Sequence, residues 1–158
     1  MVEEDEQFMR RAIALAQNGI DQNAGGPFGA VIVKNGETIA EGCNRVTSTN
    51  DPTAHAEVVA IRKACEKLKS FQLENCTIYT SCEPCPMCLG AIYWARPARV
   101  FFAATRKDAA HIGFDDQFIY NEIEKPIDER QMKIINLMRD EALVVFRNWT
   151  SKADKTEY

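Results

Sequence analysis

The chain has 158 residues, of which 46% are hydrophobic and 27% charged, and these proportions exclude a wholly disordered chain and indicate a single globular domain over residues 1–158. The net charge of −4 argues against nucleic acid as a partner, because a surface of this sign does not attract phosphate backbones. Apolar runs are too short to span a membrane and residues 3–6 are acidic, unlike a secretory signal, so we expect no membrane partner and a cytoplasmic protein.

The first half of the chain predicts a helix, a hairpin and a second helix. Apolar residues recur at helical spacing over 4–18, and a turn-rich stretch with glycine and asparagine follows. Two β-rich runs, 28–33 and 38–42, flank an Asn-Gly pair. This pair is a strong hairpin signal, because a type I′ turn needs positive φ at both central residues. A stripe of small apolar residues then predicts a helix over 54–68.

The second half of the chain predicts alternating strands and helices. The predicted strands are 76–81, 99–104 and 132–137. The predicted helices are 86–95, 117–123 and 139–151. This order of elements predicts an α/β fold, in which a three-layer α/β/α domain is built on a five-stranded mixed sheet.

Three of the six cysteines, Cys82, Cys85 and Cys88, lie within seven residues of one another. A chain of this length does not depend on disulfides for a core, and it lacks a signal for export to an oxidising compartment. In a reduced cytosol, clustered thiols are more often metal ligands or redox groups than structural bridges. The other three cysteines are expected to pack in the core.

A metal-ligand pattern spans two predicted helix starts. His55-Ala56-Glu57 opens one helix, and Cys85 and Cys88 lie at the start of the next. Together these segments contain H-x-E and P-C-x-x-C, an established signature of zinc nucleobase deaminases. The two cysteines share a helix face, and the helix N-terminus favours their thiolate forms. One imidazole and two thiolates suit Zn²⁺ and leave its fourth position open for water, as in catalytic zinc sites.

Glu57 is the candidate proton carrier at this site. Zinc can lower the pKa of a bound water to about 7, and a neighbouring carboxylate can accept the proton and return it. In mid-helix, residues two apart such as His55 and Glu57 point to different sides. The pattern therefore requires this pair to straddle the start of the helix.

The choice of thiolates has an alternative, because Cys82 and Cys85 form a second, overlapping C-x-x-C pair. Cys85 and Cys88 are preferred because Pro86 fixes the helix start beside them, whereas Cys82 still belongs to the end of a strand. An inactive, zinc-stabilised scaffold would need a fourth protein ligand, which only Cys82 or His111 could supply.

Several segments resemble the cytidine and deoxycytidylate deaminase superfamily and, within it, the short bacterial zinc-dependent guanine deaminases. These segments are 25–33, 51–57, 82–88, 90–97, 113–120 and the terminal Glu157-Tyr158. The resemblance covers nearly the whole chain, and 127–138 is its least familiar part. It implies a cytidine-deaminase-like fold and the conversion of guanine and water into xanthine and ammonia.

The resemblance also implies the composition of the active enzyme. One zinc ion per subunit would be held by His55, Cys85 and Cys88, and Glu57 would be the catalytic residue. The family forms homodimers that exchange a C-terminal segment, which implies that residues 152–158 cover the site of the partner subunit.

Six substrate contacts follow from the same resemblance: Phe28, Asn44, Ala56, Trp94, Asp116 and Tyr158. The two aromatic rings Phe28 and Trp94 could lie against a flat base, with packing in the core as the alternative for both. The Asn44 amide can donate and accept hydrogen bonds at the edge of the base. Guanine presents two adjacent donors, N1–H and the exocyclic amine, and an ionised Asp116 accepts both. Adenine and cytosine lack this donor pair. Asp115 remains open as an alternative acceptor.

Two other substrate classes remain open. The tRNA adenosine deaminases share the zinc motifs, but they need a basic surface for the anticodon arm, and the tail 152–158 has little basic excess. Another small aminated ring, such as cytosine or a triazine, is the second alternative.

Overall fold

The computed structural model describes residues 2–158, and the chain divides into two compact units. The first unit ends at Asp116, and the second is Gln117–Tyr158. The helices of the first unit are α1 (Val2–Asp21), α2 (Val46–Thr49), α3 (Ala56–Leu68), α4 (Pro86–Ala95) and α5 (Arg106–His111). Its strands are β1 (Gly29–Lys34), β2 (Glu37–Cys43), β3 (Cys76–Cys82) and β4 (Arg99–Ala104).

The second unit is helical. It contains α6 (Gln117–Glu124), a single 3-10 turn (Ile127–Glu129) and α7 (Arg139–Ser151). Within residues 2–158, every helix falls short of the combination of length and hydrophobicity that a bilayer-spanning helix needs.

The four strands form one mixed sheet in the order β2-β1-β3-β4. β1 is antiparallel to both β2 and β3, whereas β3 and β4 run parallel. In the turn between β1 and β2, φ is +53° at Asn35 and +79° at Gly36. Both values are positive, which confirms the hairpin predicted from the Asn-Gly pair.

The prediction of a fifth strand over 132–137 is wrong, because this segment forms no strand and the sheet has four strands. Ile135 and Leu137 in this segment are each 80% exposed. A strand needs a neighbour for its backbone hydrogen bonds, and residues 117–158 contain no other strand with which it could pair. The apolar pattern alone therefore did not determine its conformation.

Helices cover both faces of the sheet, as the three-layer prediction requires. On one face, Ala12 of α1 packs with Val31, Val33 and Tyr79. A Cβ atom at Gly29 would lie 2.1 Å from the carbonyl oxygen of Ala12, so the glycine allows α1 to lie directly on β1.

On the other face, α3 and α4 pack against β1, β2 and β3 around a larger apolar core. Its fully or almost fully buried members are Ala30, Ile32, Ala40, Ala56, Ala60, Ala64, Leu73, Cys76, Ile78, Ile92 and Ala95. Small residues dominate the α3 side of this core, so the helix approaches the sheet closely. This packing fixes where α3 begins relative to the end of β3, and both candidate ligand segments lie there.

Three short helical segments have no counterpart in the sequence prediction: α2, α5 and the 3-10 turn. Segments of three to six residues are too short to show helical periodicity. The start of α5 does carry a local signal. The backbone N–H of Asp108 donates to the Thr105 hydroxyl at 3.3 Å, and the backbone N–H of Thr105 donates to the Asp108 carboxylate at 2.8 Å. This capping box is visible in the sequence as Thr-x-x-Asp.

Candidate active site

The candidate metal ligands lie at the starts of two helices. His55 is the residue immediately before α3, and Cys85 is the residue immediately before α4, and both have extended backbone. Cys88 follows within the first turn of α4 and is buried. The positive ends of both helix dipoles are therefore at the cluster, where they favour anionic sulfur.

The spacing of the three ligand atoms fits a tetrahedral zinc ion. The Sγ atoms of Cys85 and Cys88 each lie 3.5 Å from Nδ1 of His55. With usual Zn–S and Zn–N bond lengths, tetrahedral angles place nitrogen and sulfur about 3.6 Å apart. Within residues 2–158, these three side chains are the group whose ligand atoms converge in this way.

The two thiols of the cluster are electrostatically unequal. The Cys88 thiol and then the His55 ring hydrogen-bond to the Cys85 sulfur and lower the pKa of Cys85 to about 4. The pKa of Cys88 is raised, mainly because its thiol donates to Cys85 and because it is buried. One thiolate is thus favoured by the protein itself, and metal binding would displace the proton of the other.

Glu57 lies beside the ligand cluster, in the first turn of α3. Its side chain is only 6% exposed, and Oε2 lies 3.4 Å from the Cys88 sulfur. Burial raises the pKa of Glu57 above that of an ordinary glutamate. His55 precedes α3 and Glu57 is inside it, so the pair straddles the helix start in the way the sequence pattern requires.

The two other candidate ligands point elsewhere. The Cys82 sulfur lies 3.7 Å from the backbone carbonyl oxygen of Thr105, and burial raises the pKa of this thiol to about 11. His111 is exposed at the end of α5. Within residues 2–158, neither belongs to the converging group, which leaves three protein ligands. A set of three with an open fourth position is the arrangement of catalytic zinc.

Asn44 presents a donor rather than an acceptor toward any ligand. Its Oδ1 accepts hydrogen bonds from the backbone N–H groups of Gly26 and Val46, each at 3.1 Å. A Cβ atom at Gly25 would lie 2.3 Å from this Oδ1, so the surrounding loop fits only around glycine. Because two backbone donors fix the orientation of the amide, its NH₂ group is the part available to a bound molecule.

The comparison with known proteins decides the family. Residues 2–104 match the family model described as the cytidine and deoxycytidylate deaminase zinc-binding region. The chain belongs to this deaminase family.

Individual relatives are similar over almost the whole chain. Guanine deaminase of Bacillus subtilis (strain 168) is 60% identical over 153 residues, which are 97% of this chain and 98% of that protein. The X-ray structure of guanine deaminase from Bacillus subtilis has a TM-score of 0.95, at 59% identity, and the match covers 97% of this chain and 98% of that one.

Similarity to a second kind of deaminase is lower. The tRNA-specific adenosine deaminase of Buchnera aphidicola (subsp. Schizaphis graminum) is 34% identical over 146 residues, which are 92% of this chain and 93% of that protein.

Three of the predicted substrate contacts have neighbours that the structure defines: Phe28, Asn44 and Asp116. Asn44 donates its backbone N–H to the carbonyl oxygen of Phe28 at 3.0 Å, and the Phe28 ring meets the Phe114 ring edge-on at 5.0 Å between centroids. Asp116 is half-buried, and burial together with the charge of Cys85 raises its pKa. The carboxyl group of Asp116 is thus within electrostatic reach of the ligand cluster.

The other predicted contacts have different surroundings. Ala56 is fully buried as the first residue of α3. Trp94 is 64% exposed on α4, and Tyr158 is 70% exposed in the second unit.

Two residues that contact candidate site residues were not identified from the sequence. Thr80 contacts Glu57, and its signal is a hydroxyl in an otherwise apolar strand row. Phe114 contacts Phe28 through its ring, and its signal is its place in the segment 113–120, which carries the family resemblance.

Proposed function

We propose that this protein catalyses the zinc-dependent hydrolytic deamination of guanine to xanthine and ammonia. The observation that carries the proposal is the buried carboxyl group of Glu57, which lies beside the Cys88 sulfur. Cys88 is one of three converging residues of the types that bind zinc. The 60% identity to a guanine deaminase supports the choice of base. One zinc ion per subunit would be held by His55, Cys85 and Cys88.

The proposed reaction depends on a zinc-bound water and on proton transfer by Glu57. Zinc, when bound, lowers the pKa of water and so supplies a nucleophile at neutral pH. Glu57 accepts one proton of that water and passes it to a ring nitrogen of guanine, while the water oxygen bonds to the ring carbon that carries the amine. Glu57 then accepts the remaining proton from the new hydroxyl group and passes it to the amine, which leaves as ammonia while the carbonyl group of xanthine forms. One carboxyl group acts first as base and then as acid, and its burial keeps bulk water away from the transferred proton.

Recognition of guanine rests on three kinds of contact. The carboxylate of Asp116 accepts hydrogen bonds from N1–H and the exocyclic amine, and the NH₂ group of Asn44 donates to an acceptor on the purine edge. Phe28 and Trp94 provide aromatic surface for the ring faces. Ala56 contributes its backbone N–H, which as the first N–H of α3 has no acceptor within the helix.

The decisive experiment measures zinc content and product together. The purified protein is assayed for xanthine and ammonia from guanine, then stripped of metal with a chelator and reloaded with zinc. We expect activity that disappears and returns with zinc, and no turnover of adenine or cytosine. A zinc-loaded protein that leaves guanine unchanged but deaminates an adenosine in tRNA would replace this proposal by the alternative that the 34% identical relative represents.

The choice of acceptor is tested by Asp116→Asn. The substitution turns one acceptor oxygen into a donor that faces the donors of guanine, and an unpaired polar group in a closed pocket is costly. We expect kcat/KM for guanine to fall about 10- to 100-fold. Asp115→Asn is the matched control and should stay near wild type. If only the Asp115 variant loses activity, the carboxylates have been assigned in the wrong order.

We also propose a homodimer in which each chain, as one deaminase domain, covers the site of its partner with residues 152–158. Support comes from large apolar side chains that the second unit leaves exposed, among them Ile135, Leu137 and Phe146. Large exposed apolar surfaces are typical of association sites. Closure over a small polar base would also exclude water from the reaction.

Deletion of residues 152–158 tests the covering segment. We expect folding and zinc content to be retained while guanine turnover falls by at least about an order of magnitude, since the pocket stays open to water. Mixing the truncated chain with full-length Glu57→Gln protein should restore activity, because one site of the mixed dimer then has Glu57 and a partner segment. Full activity of the truncated protein alone excludes a covering role. A truncated protein that the mixture does not rescue excludes exchange between subunits.

A further inference from the structure

Thr80 is a buried hydroxyl in an otherwise apolar row of the sheet. Alternate residues of β3 face α3 and α4, and two of them, Cys76 and Ile78, belong to the apolar core there. Thr80 continues this row, pairs with Ala30 of β1 and is 1% exposed. A hydroxyl removed from water to this extent needs a hydrogen-bond partner, so its contacts explain why the position is polar.

The Thr80 hydroxyl connects the end of β3 to Glu57. Its Oγ1 lies 3.0 Å from the backbone carbonyl oxygen of Cys82 and 3.3 Å from Oε1 of Glu57. The hydroxyl has a single hydrogen, which these two acceptor oxygens share, and Thr80 and Cys82 lie on the same strand. The carboxyl group of Glu57 is thus oriented against a fixed point of the sheet.

The two carboxyl oxygens of Glu57 have different side-chain neighbours. Oε2 lies 3.4 Å from Sγ of Cys88, which belongs to the ligand cluster rather than to the sheet. Oε1 instead lies against the Thr80 hydroxyl, so Thr80 is the neighbour that ties the carboxyl group to the sheet. The terminal torsion of a glutamate is broad, so the orientation of its carboxyl plane depends on such contacts, and the Thr80 hydroxyl adds one to those made by the Glu57 backbone and Cys88.

We infer that Thr80 is the positioning residue for Glu57, whose hydroxyl holds the carboxyl group in the orientation needed for proton transfer during deamination. The inference rests on the proposed function, in which Glu57 carries the proton. A misplaced general base slows the chemical step more than it weakens substrate binding. The effect of losing the hydroxyl should therefore fall on kcat rather than on KM.

The test compares three variants of the zinc-loaded protein. Thr80→Val removes the hydroxyl at nearly constant volume, and Thr80→Ser keeps it. Thr77→Val is the matched control, because Thr77 is also buried on β3 but packs on the α1 side. We expect Thr80→Val to lower kcat about 10- to 100-fold with KM within about threefold, and the other two variants to stay within about threefold of wild type. A Thr80→Val enzyme with wild-type kcat, or a Thr80→Ser enzyme as slow as Thr80→Val, overturns the inference.

A double-variant experiment separates positioning from a general structural effect. In the Glu57→Gln background, Thr80→Val should cause little further loss, because the group that it positions is already absent. A loss as large as in the wild-type background overturns the inference. Zinc content and melting temperature are measured for every variant, and Thr80→Ala replaces Thr80→Val if the valine variant does not fold.

A crystallographic readout keeps this inference distinct from the proposed function. In zinc-loaded crystals, the Glu57 carboxyl group should have one orientation in wild type and Thr80→Ser, and a different or mixed orientation in Thr80→Val. An unchanged orientation in Thr80→Val overturns the role of Thr80 even if wild type deaminates guanine. A wild-type protein inactive on guanine overturns the proposed function, while the orientation of Glu57 still decides whether Thr80 positions it.

Discussion

Glu57→Gln is expected to lower the rate of guanine deamination by about 10² to 10⁴ and to leave zinc content unchanged. Glutamine keeps the shape and burial of the side chain, but its amide cannot accept a proton from water and return it to the amine. The measurement is kcat for xanthine formation at matched zinc occupancy. Because the same group acts twice in the proposed reaction, the loss should lie toward the upper end of this range.

A matched control for this substitution is Glu66→Gln. Glu66 lies on the same helix, α3, but is exposed, so the variant makes the same chemical change away from the cluster. It should keep wild-type turnover. Near-normal turnover of Glu57→Gln, at full zinc occupancy, would remove Glu57 from the role of proton carrier.

Cys88→Ala is expected to abolish activity by a different route, through loss of the metal. A site with two protein ligands left holds zinc poorly, so zinc content should fall below about a tenth of the wild-type value. The melting temperature should fall as well, because a bound ion stabilises the folded state. Metal analysis and thermal unfolding of the purified variant measure both effects.

The control is Cys82→Ala, which tests the overlapping C-x-x-C pair. The Cys82 thiol contacts a backbone carbonyl oxygen rather than the His55 ring, so its removal should leave zinc content and most activity in place. If Cys82→Ala loses zinc and Cys88→Ala retains it, the ligand set is Cys82 and Cys85.

The parts of the fold that could be predicted from the sequence are those with local signals. The Asn-Gly turn requires positive φ at both residues, and the structure has it. Pro86 begins α4, as its fixed φ and missing N–H favour. The ranges predicted for the four later helices agree with α3, α4, α6 and α7 to within two residues at each end. Each of these features depends on residues close together in the chain.

Local signals could not decide whether residues 132–137 form a fifth strand, because strand formation depends on a distant partner. Residues 132–137 have an apolar pattern compatible with a strand, but a pattern does not supply a neighbouring backbone. The convergence of His55 with Cys85 and Cys88 is also long-range. It could nevertheless be predicted, because a metal site demands a particular set of residue types and so leaves a signature in sequence.

The polar contacts at the site show a second limit of prediction from sequence. Sequence indicated that Asn44 could donate and accept, but only the backbone donors at Gly26 and Val46 show that its oxygen is already engaged. Thr80 likewise shows no functional role when it is considered as a single residue of a strand. Its role becomes visible only through its contact with Glu57, which lies 23 residues earlier in the chain.

The placement of two ligands just before helices has a consequence for engineering this protein. His55 and Cys85 occupy N-cap positions, and neither side chain caps its helix. Serine, threonine, aspartate or asparagine at an N-cap typically adds about 0.5–2 kcal/mol of stability over alanine. Selection for thermal resistance of the metal-free chain would therefore favour these residues at both positions and remove two zinc ligands. The two helix starts mark where a stability–activity trade-off is built into the backbone, and a stabilised variant should keep both residues and gain its stability elsewhere.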